Sequence, residues 1–207
     1  VVRHAQSVAS VEDQAGPAQL ARLTTDVFAP GILVVVVLLA VGAASTSNPL
    51  VGLAWGVGAA LFCGVLPYGF MIHGVRRGRL GDRHIRDRRQ RLMPLAVSIA
   101  SVAAGIAMLI VGHAPPDVLA LVITMLIALT VFALITMTWK ISFHTGVAAG
   151  TVTVLVIVFG PVLLVTAPVI ALVAWSRVRL TDHTPAQVTT GALLAAALTV
   201  SLFPVLR

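Results

Sequence analysis

From Val27 to Val75 the chain carries no formally charged side chain over forty-nine residues in a row. A domain folded in water needs charge at roughly one residue in four to cover its surface. The run is also too long for one membrane crossing, because about 20 apolar residues traverse the hydrocarbon core. Ser45-Thr46-Ser47-Asn48-Pro49 is a polar turn ending in proline, and it divides the run into spans near 28–44 and 50–74. The rest of the chain follows the same pattern. Spans are expected near 92–112, 118–139, 144–160, 161–176 and 184–205, with the turn His113-Ala114-Pro115-Pro116-Asp117 between the third and fourth. The uncharged stretch after Lys140 would be about 54 Å long as one helix, too long for a bilayer about 30 Å thick. Gly160-Pro161 is its natural break.

Composition agrees. The chain is 58% hydrophobic and 10% charged, which excludes soluble and disordered classes. A single cysteine, Cys63, excludes a disulfide framework and a thiolate zinc site, and it reads as a small packing residue. The expected fold is all-α: a polytopic transmembrane bundle of six to seven spans over residues 27–207. Residues 1–26 precede it as a polar segment able to form a surface amphipathic helix, with no sign of a cleaved signal peptide. The membrane bilayer is the expected environment. The formal net charge of +7 suggests nucleic acid less than membrane topology, because the basic residues cluster beside apolar runs.

Those residues also fall on one side. Eight of the thirteen arginines lie between Arg76 and Arg91, and Lys140, Arg177 and Arg179 occupy the other two connections on that face. The opposite connections, 45–49, 113–117 and 160–161, hold no Lys or Arg. The positive-inside rule places the basic loops and the N-terminus in the cytoplasm. Three polar clusters thereby converge: His84 to Arg91, Lys140 to Thr145, and Ser176 to Gln187. Guanidinium groups bind phosphate oxygens bidentately. Helix starts after Ser142 and Thr184 offer backbone N–H groups to an anion. Two histidines supply groups that titrate near neutrality. Phosphoryl transfer needs these parts and no metal or cofactor where arginines carry the charge. The scattered Asp82, Asp87, Asp117 and Asp182 do not form a magnesium site.

The spacing resembles the type 2 phosphatidic acid phosphatase superfamily over residues 84–191. Ser176-Arg177, five residues, then His183 is similar to its third motif, S-R-x5-H-x3-D. Lys140-Ile141-Ser142-Phe143-His144 resembles its second, P-S-G-H, and His84, six residues, then Arg91 keeps the spacing of its first, K-x6-R-P. The resemblance implies that His183 attacks phosphorus and becomes a phosphohistidine. It implies that His144 protonates the leaving alkoxide and then activates water, and that Arg177, Arg91 and Ser142 bind phosphate. Arg88 and Lys140 join them by proximity, and His84 by its motif position. The implied partner is a lipid phosphomonoester or diphosphate. The departures are His84 for lysine, Leu92 for proline after Arg91, Ile141 and Phe143 for proline and glycine, and Gln187 for the aspartate that orients the nucleophile. A Gln187 amide oxygen can accept the Nδ1–H but stabilises an imidazolium less than a carboxylate does. Asp182 and Asp87 are both placed to supply the missing charge.

Simpler readings stand beside these. Much of the arginine loop suits lipid headgroups. Arg179 suits snorkelling at a helix end, and His4, His73 and His113 fall outside the site. The alternative function is a non-catalytic relative that transports or binds an anionic lipid.

Overall fold

A computed structural model describes residues 16–77 and 88–207, and every regular element among them is helical. The first helix, α1 (Gly16–Val27), meets α2 (Pro30–Ala44) at a 42° bend. There follow α3 (Pro49–Ala60), a π-helical turn (Leu61–Val65) and α4 (Leu66–Arg76), then α5 (Arg88–Val111) and α6 (Pro116–Thr136). The last third comprises α7 (Phe143–Phe159), a 3-10 turn (Pro161–Thr166), α8 (Pro168–Arg179) and α9 (Pro185–Leu206).

Proline sets many of these boundaries. Six elements begin on one: Pro30, Pro49, Pro116, Pro161, Pro168 and Pro185. A first-turn residue has no intrahelical use for its N–H, and proline's fixed φ is already helical. The polar turn at 45–49 acts as expected, with the Asn48 side chain accepting from Leu50 N to cap α3. The break at Gly160-Pro161 is also present. Gly160 adopts φ 94°, a left-handed value that side chains resist, and ends α7.

Five helices are long and apolar enough to cross a membrane, or six if α1 and α2 form one bent span. The expected six to seven spans therefore meet five or six by length. The expected short span near 144–160 corresponds to α7, an apolar helix of 17 residues. The span expected to reach 139 ends at Thr136. Residues 16–26, part of the segment expected to lie outside the bilayer and able to form a surface helix, belong to α1, whose Ala21 and Thr24 are buried. The main apolar core joins Val37, Leu38 and Val41 of α2 to Val118, Leu121 and Val122 of α6 and Phe203 of α9. Large apolar side chains on the outside, such as Val36, Leu134, Leu193 and Val200, suit lipid rather than water. The whole fits an integral membrane protein of several helices.

Two features aim the helices. The α7 and α9 starts lie side by side, since Ser142 N donates to Gln187 O at 3.4 Å. Their approach depends on Gly191, where a Cβ would lie 2.6 Å from Ser142 O and 3.0 Å from Thr145 Oγ1. At the other end, Arg207 pairs with Asp117 at 3.3 Å, joining the end of α9 to the start of α6. Both charges suit their helix termini.

Candidate active site

Helix α8 arrives at the site carrying Ser176 and Arg177 in its last turn, and the chain then reverses sharply. Thr181 takes φ 58°, an uncommon value for a β-branched residue. Its turn folds the next two amides back, so that Asp182 N and His183 N both donate to Arg177 O, at 3.1 and 3.2 Å. The Asp182 carboxylate then meets the Arg177 guanidinium, Nη2 to Oδ2 at 2.9 Å. Lys140 reaches across from the loop before α7 and donates to the Asp182 carbonyl oxygen. The stretch from Ser176 to His183 thus becomes a closed turn pinned by two cations.

His183 stands at the head of α9. Its Nδ1 lies 3.1 Å from Gln187 Oε1. The same oxygen accepts from Thr184 N at 3.1 Å, while Thr184 Oγ1 accepts from Gln187 N at 3.3 Å, completing a capping box. Gln187 Oε1 is held by a main-chain donor and so favours the Nδ1–H tautomer, in which the neutral ring has its lone pair on Nε2. Burial holds His183 below the ordinary imidazole range; the Gln187 hydrogen bond raises it, Lys140 and Arg177 lower it, and Asp182 raises it. A neutral ring with a free Nε2 is the form a nucleophile needs.

His144 is the second residue of α7, half-buried, and near enough to Arg177, His183 and Asp182 to feel their charges. Helix α7 starts there because Ser142 caps it, Oγ accepting from Thr145 N at 3.4 Å. Ser142 is wholly buried. Its side chain fixes the helix start. The two helix starts also differ. Pro185 has no N–H, and the capping box occupies the N–H groups of Thr184 and Gln187, so α9 is largely closed to an anion. The first N–H groups of α7, on Phe143 and His144, have no intrahelical acceptor and remain the better anion donors.

Phe143 needs no left-handed backbone: among the described non-glycine residues only His113 and Thr181 have positive φ. Its ring packs edge-on against Phe132 with centroids 5.3 Å apart. Phe143 also forms part of the wall of a cavity of about 220 Å³ that extends into the bundle between α2, α5, α6, α7 and α9. Val34, Val102, Met125 and Ala195 make it apolar. The hydroxyls of Ser98, Thr124 and Thr199, which also line it, bond carbonyls of their own helices at 2.8 Å each. Phe143, the neighbour of His144 in the chain, thus lines an apolar space, while His144 itself does not line it.

The structure thus brings together Lys140, Ser142, His144, Arg177, His183 and Gln187. Arg88 and Arg91 lie on the first turn of α5, and the short turn through His113 sends α6 back beside α5, so both backbones sit at the end where α6 finishes. His84 and Asp87 fall outside the described residues. Of the two candidates for the missing charge, Asp182 pairs with Arg177, and among the described residues the hydrogen-bond partner of His183 Nδ1 is Gln187. The described residues hold no group of three His, Cys, Asp or Glu able to share a metal ion.

Thr25 and Thr145 also take part. Thr25 of α1 donates to Ser176 Oγ at 3.2 Å, tying α1 to the end of α8. Thr145 is wholly buried beneath Ser142, and its Oγ1 donates to Ser142 O at 3.2 Å. The spacing of Ser142 and Thr145 suits a helix start, but nothing in the sequence marks Thr25. Comparison with family models, curated proteins and solved structures found no match for the chain.

Proposed function

We propose that the protein is an integral membrane lipid phosphatase, acting on a lipid phosphomonoester or diphosphate through a phosphohistidine. The observation that carries this reading is the His183 Nδ1 to Gln187 contact beside Arg177. It presents a neutral, oriented imidazole next to a fixed guanidinium. Lys140 and the open N-terminus of α7 add positive charge around the same point.

In the proposed reaction Nε2 of His183 attacks phosphorus. The bond to the lipid oxygen breaks, and that oxygen takes a proton from His144 as the lipid alcohol or phosphate departs. His144, now neutral, removes a proton from water, whose oxygen attacks the phosphohistidine. Inorganic phosphate leaves and His183 returns to its starting form. Arg177 neutralises the equatorial oxygens throughout. The apolar cavity lined in part by Phe143, in the same helix turn as His144, is in keeping with a substrate that carries a hydrocarbon chain.

A second reading, a non-catalytic protein that binds or moves an anionic lipid, is favoured by one observation: neutral Gln187 where a catalytic carboxylate is usual. Purified protein decides between them. The phosphatase reading expects release of inorganic phosphate from a lipid phosphate without added divalent metal, and inhibition by vanadate. Binding of the same lipids with no release, across monoesters and diphosphates, supports the second reading.

A further inference from the structure

The phosphatase mechanism has no use for the Asp182 carboxylate, yet that group occupies the Arg177 guanidinium, which the mechanism does use. We propose that Asp182 is an internal competitor for the phosphate position, a carboxylate that holds Arg177 until a phosphate displaces it and that returns to help expel free phosphate. The proposal rests on the reading of Arg177 as the phosphate ligand.

The two partners differ in freedom. The Arg177 side chain is 13% exposed and the Asp182 side chain 44% exposed, so the carboxylate can swing into water while the guanidinium stays. The turn supports this division. Asp182 N is fixed to Arg177 O, and Lys140 holds the Asp182 carbonyl oxygen, so only the carboxylate needs to move. The contact is also incomplete. Asp182 meets Arg177 at Nη2, while the buried Nε has no hydrogen-bond acceptor. A phosphate group has more oxygens than a carboxylate and suits a guanidinium that still lacks an acceptor. Displacement keeps Lys140 nearby, so the released carboxylate remains beside a cation.

The consequence is a threshold. Every anion that uses Arg177 must first displace Asp182, and binding of all of them weakens by the same factor. A lipid phosphate offsets the loss with its apolar chain, whereas inorganic phosphate has nothing to offset it. The reaction leaves inorganic phosphate in the site, so a built-in competitor promotes product release.

The test is Asp182→Asn, which keeps the shape and removes the charge. Inorganic phosphate binding to detergent-solubilised protein is measured by calorimetry, with steady-state hydrolysis of a lipid phosphate alongside and a melting curve to confirm folding. The expected result is tighter phosphate binding and a lower KM, each by about five-fold, near the top of the range for a half-open ion pair. Turnover should not rise, because product leaves more slowly. Equal phosphate affinity in the two folded proteins would overturn the competitor role and leave the phosphatase reading intact. Weaker binding in the variant would overturn it too and make Asp182 a support for Arg177. No phosphate binding by either protein would remove Arg177 as a phosphate ligand, and the reading beneath the proposal with it. If Asp182→Asn does not fold, Asp182→Ser serves with the same outcomes.

Discussion

Replacing Gln187 with glutamate is the most informative single change in the site. Gln187 Oε1 receives two donors, His183 Nδ1 at 3.1 Å and Thr184 N at 3.1 Å. Glutamate has the same length and can accept both. It also completes the more usual capping box and places a negative charge in the first turn of α9, where the helix dipole favours it. The fold should therefore keep or raise its Tm. The chemical effect falls on the imidazole. A neutral hydrogen bond contributes about 0.5–1.5 kcal/mol and one involving a charged group about 1.5–3 kcal/mol, so the exchange favours an imidazolium by about 1 kcal/mol. Phosphohistidine formation puts positive character on that ring, so its barrier should fall by a similar amount. The rate gain is about five- to tenfold where His183 is neutral. The same interaction raises the His183 pKa. The acid limb of the pH profile should therefore move to higher pH, and the gain should vanish in acid. The assay is phosphate release in detergent or nanodiscs across pH, with melting curves. An acid limb that stays in place in a stably folded Gln187→Glu protein would refute orientation of His183 by residue 187. A loss of rate at every pH would do the same.

Two further predictions follow from the same geometry. His183 is held below the ordinary imidazole range by burial, with Lys140 and Arg177 lowering it further. Only its neutral form attacks, so kcat/KM should fall as pH drops through that depressed value, and Lys140→Ala should shift the fall to higher pH while raising KM. A shift to lower pH in a pH-rate titration would contradict the sign. Gly191→Ala would place a Cβ 2.6 Å from Ser142 O. Overpacking against that carbonyl should lower stability by about 1–3 kcal/mol, read by denaturant or thermal melts. Activity should fall further than stability alone explains, because the α7 start would move. Unchanged melting and turnover would remove the close approach of α7 and α9 from the account.

The helical framework was largely legible, and for a simple reason. Prolines at 30, 49, 116, 161, 168 and 185 mark helix starts, and gaps in charge mark apolar helices. The π-helical turn at Leu61–Val65 was not legible, because an apolar run in a membrane carries no period to be broken. Its signature is spatial: Ser101 Oγ donates to the carbonyl oxygen of Phe62 at 2.7 Å, from another helix. The α1 packing was also hidden, since Ala21, Thr24 and Thr25 look like an ordinary polar segment until α8 lies against them. In the site, the three polar clusters on one face, together with the motif resemblance, pointed to Arg177, His183, His144 and Gln187. Spacing could not assign Asp182. Its partner depends on the left-handed turn at Thr181, which folds the carboxylate back onto Arg177. Nor could it tell that Ser142 would be wholly buried, because that depends on Gly191 letting α9 close over it.

The central claim is covalent catalysis by His183, and trapping the intermediate tests it most directly. His144→Ala should slow both proton transfer to the leaving group and activation of water. With a lipid phosphate bearing a good leaving group, attack still proceeds and the phosphoenzyme should accumulate. Rapid quenching in base, followed by peptide mass spectrometry, should find phosphate on His183, stable in base and lost in acid. His183→Ala should show neither the modified peptide nor turnover. Turnover that persists in folded His183→Ala protein, or phosphate trapped on a different residue, would contradict the account.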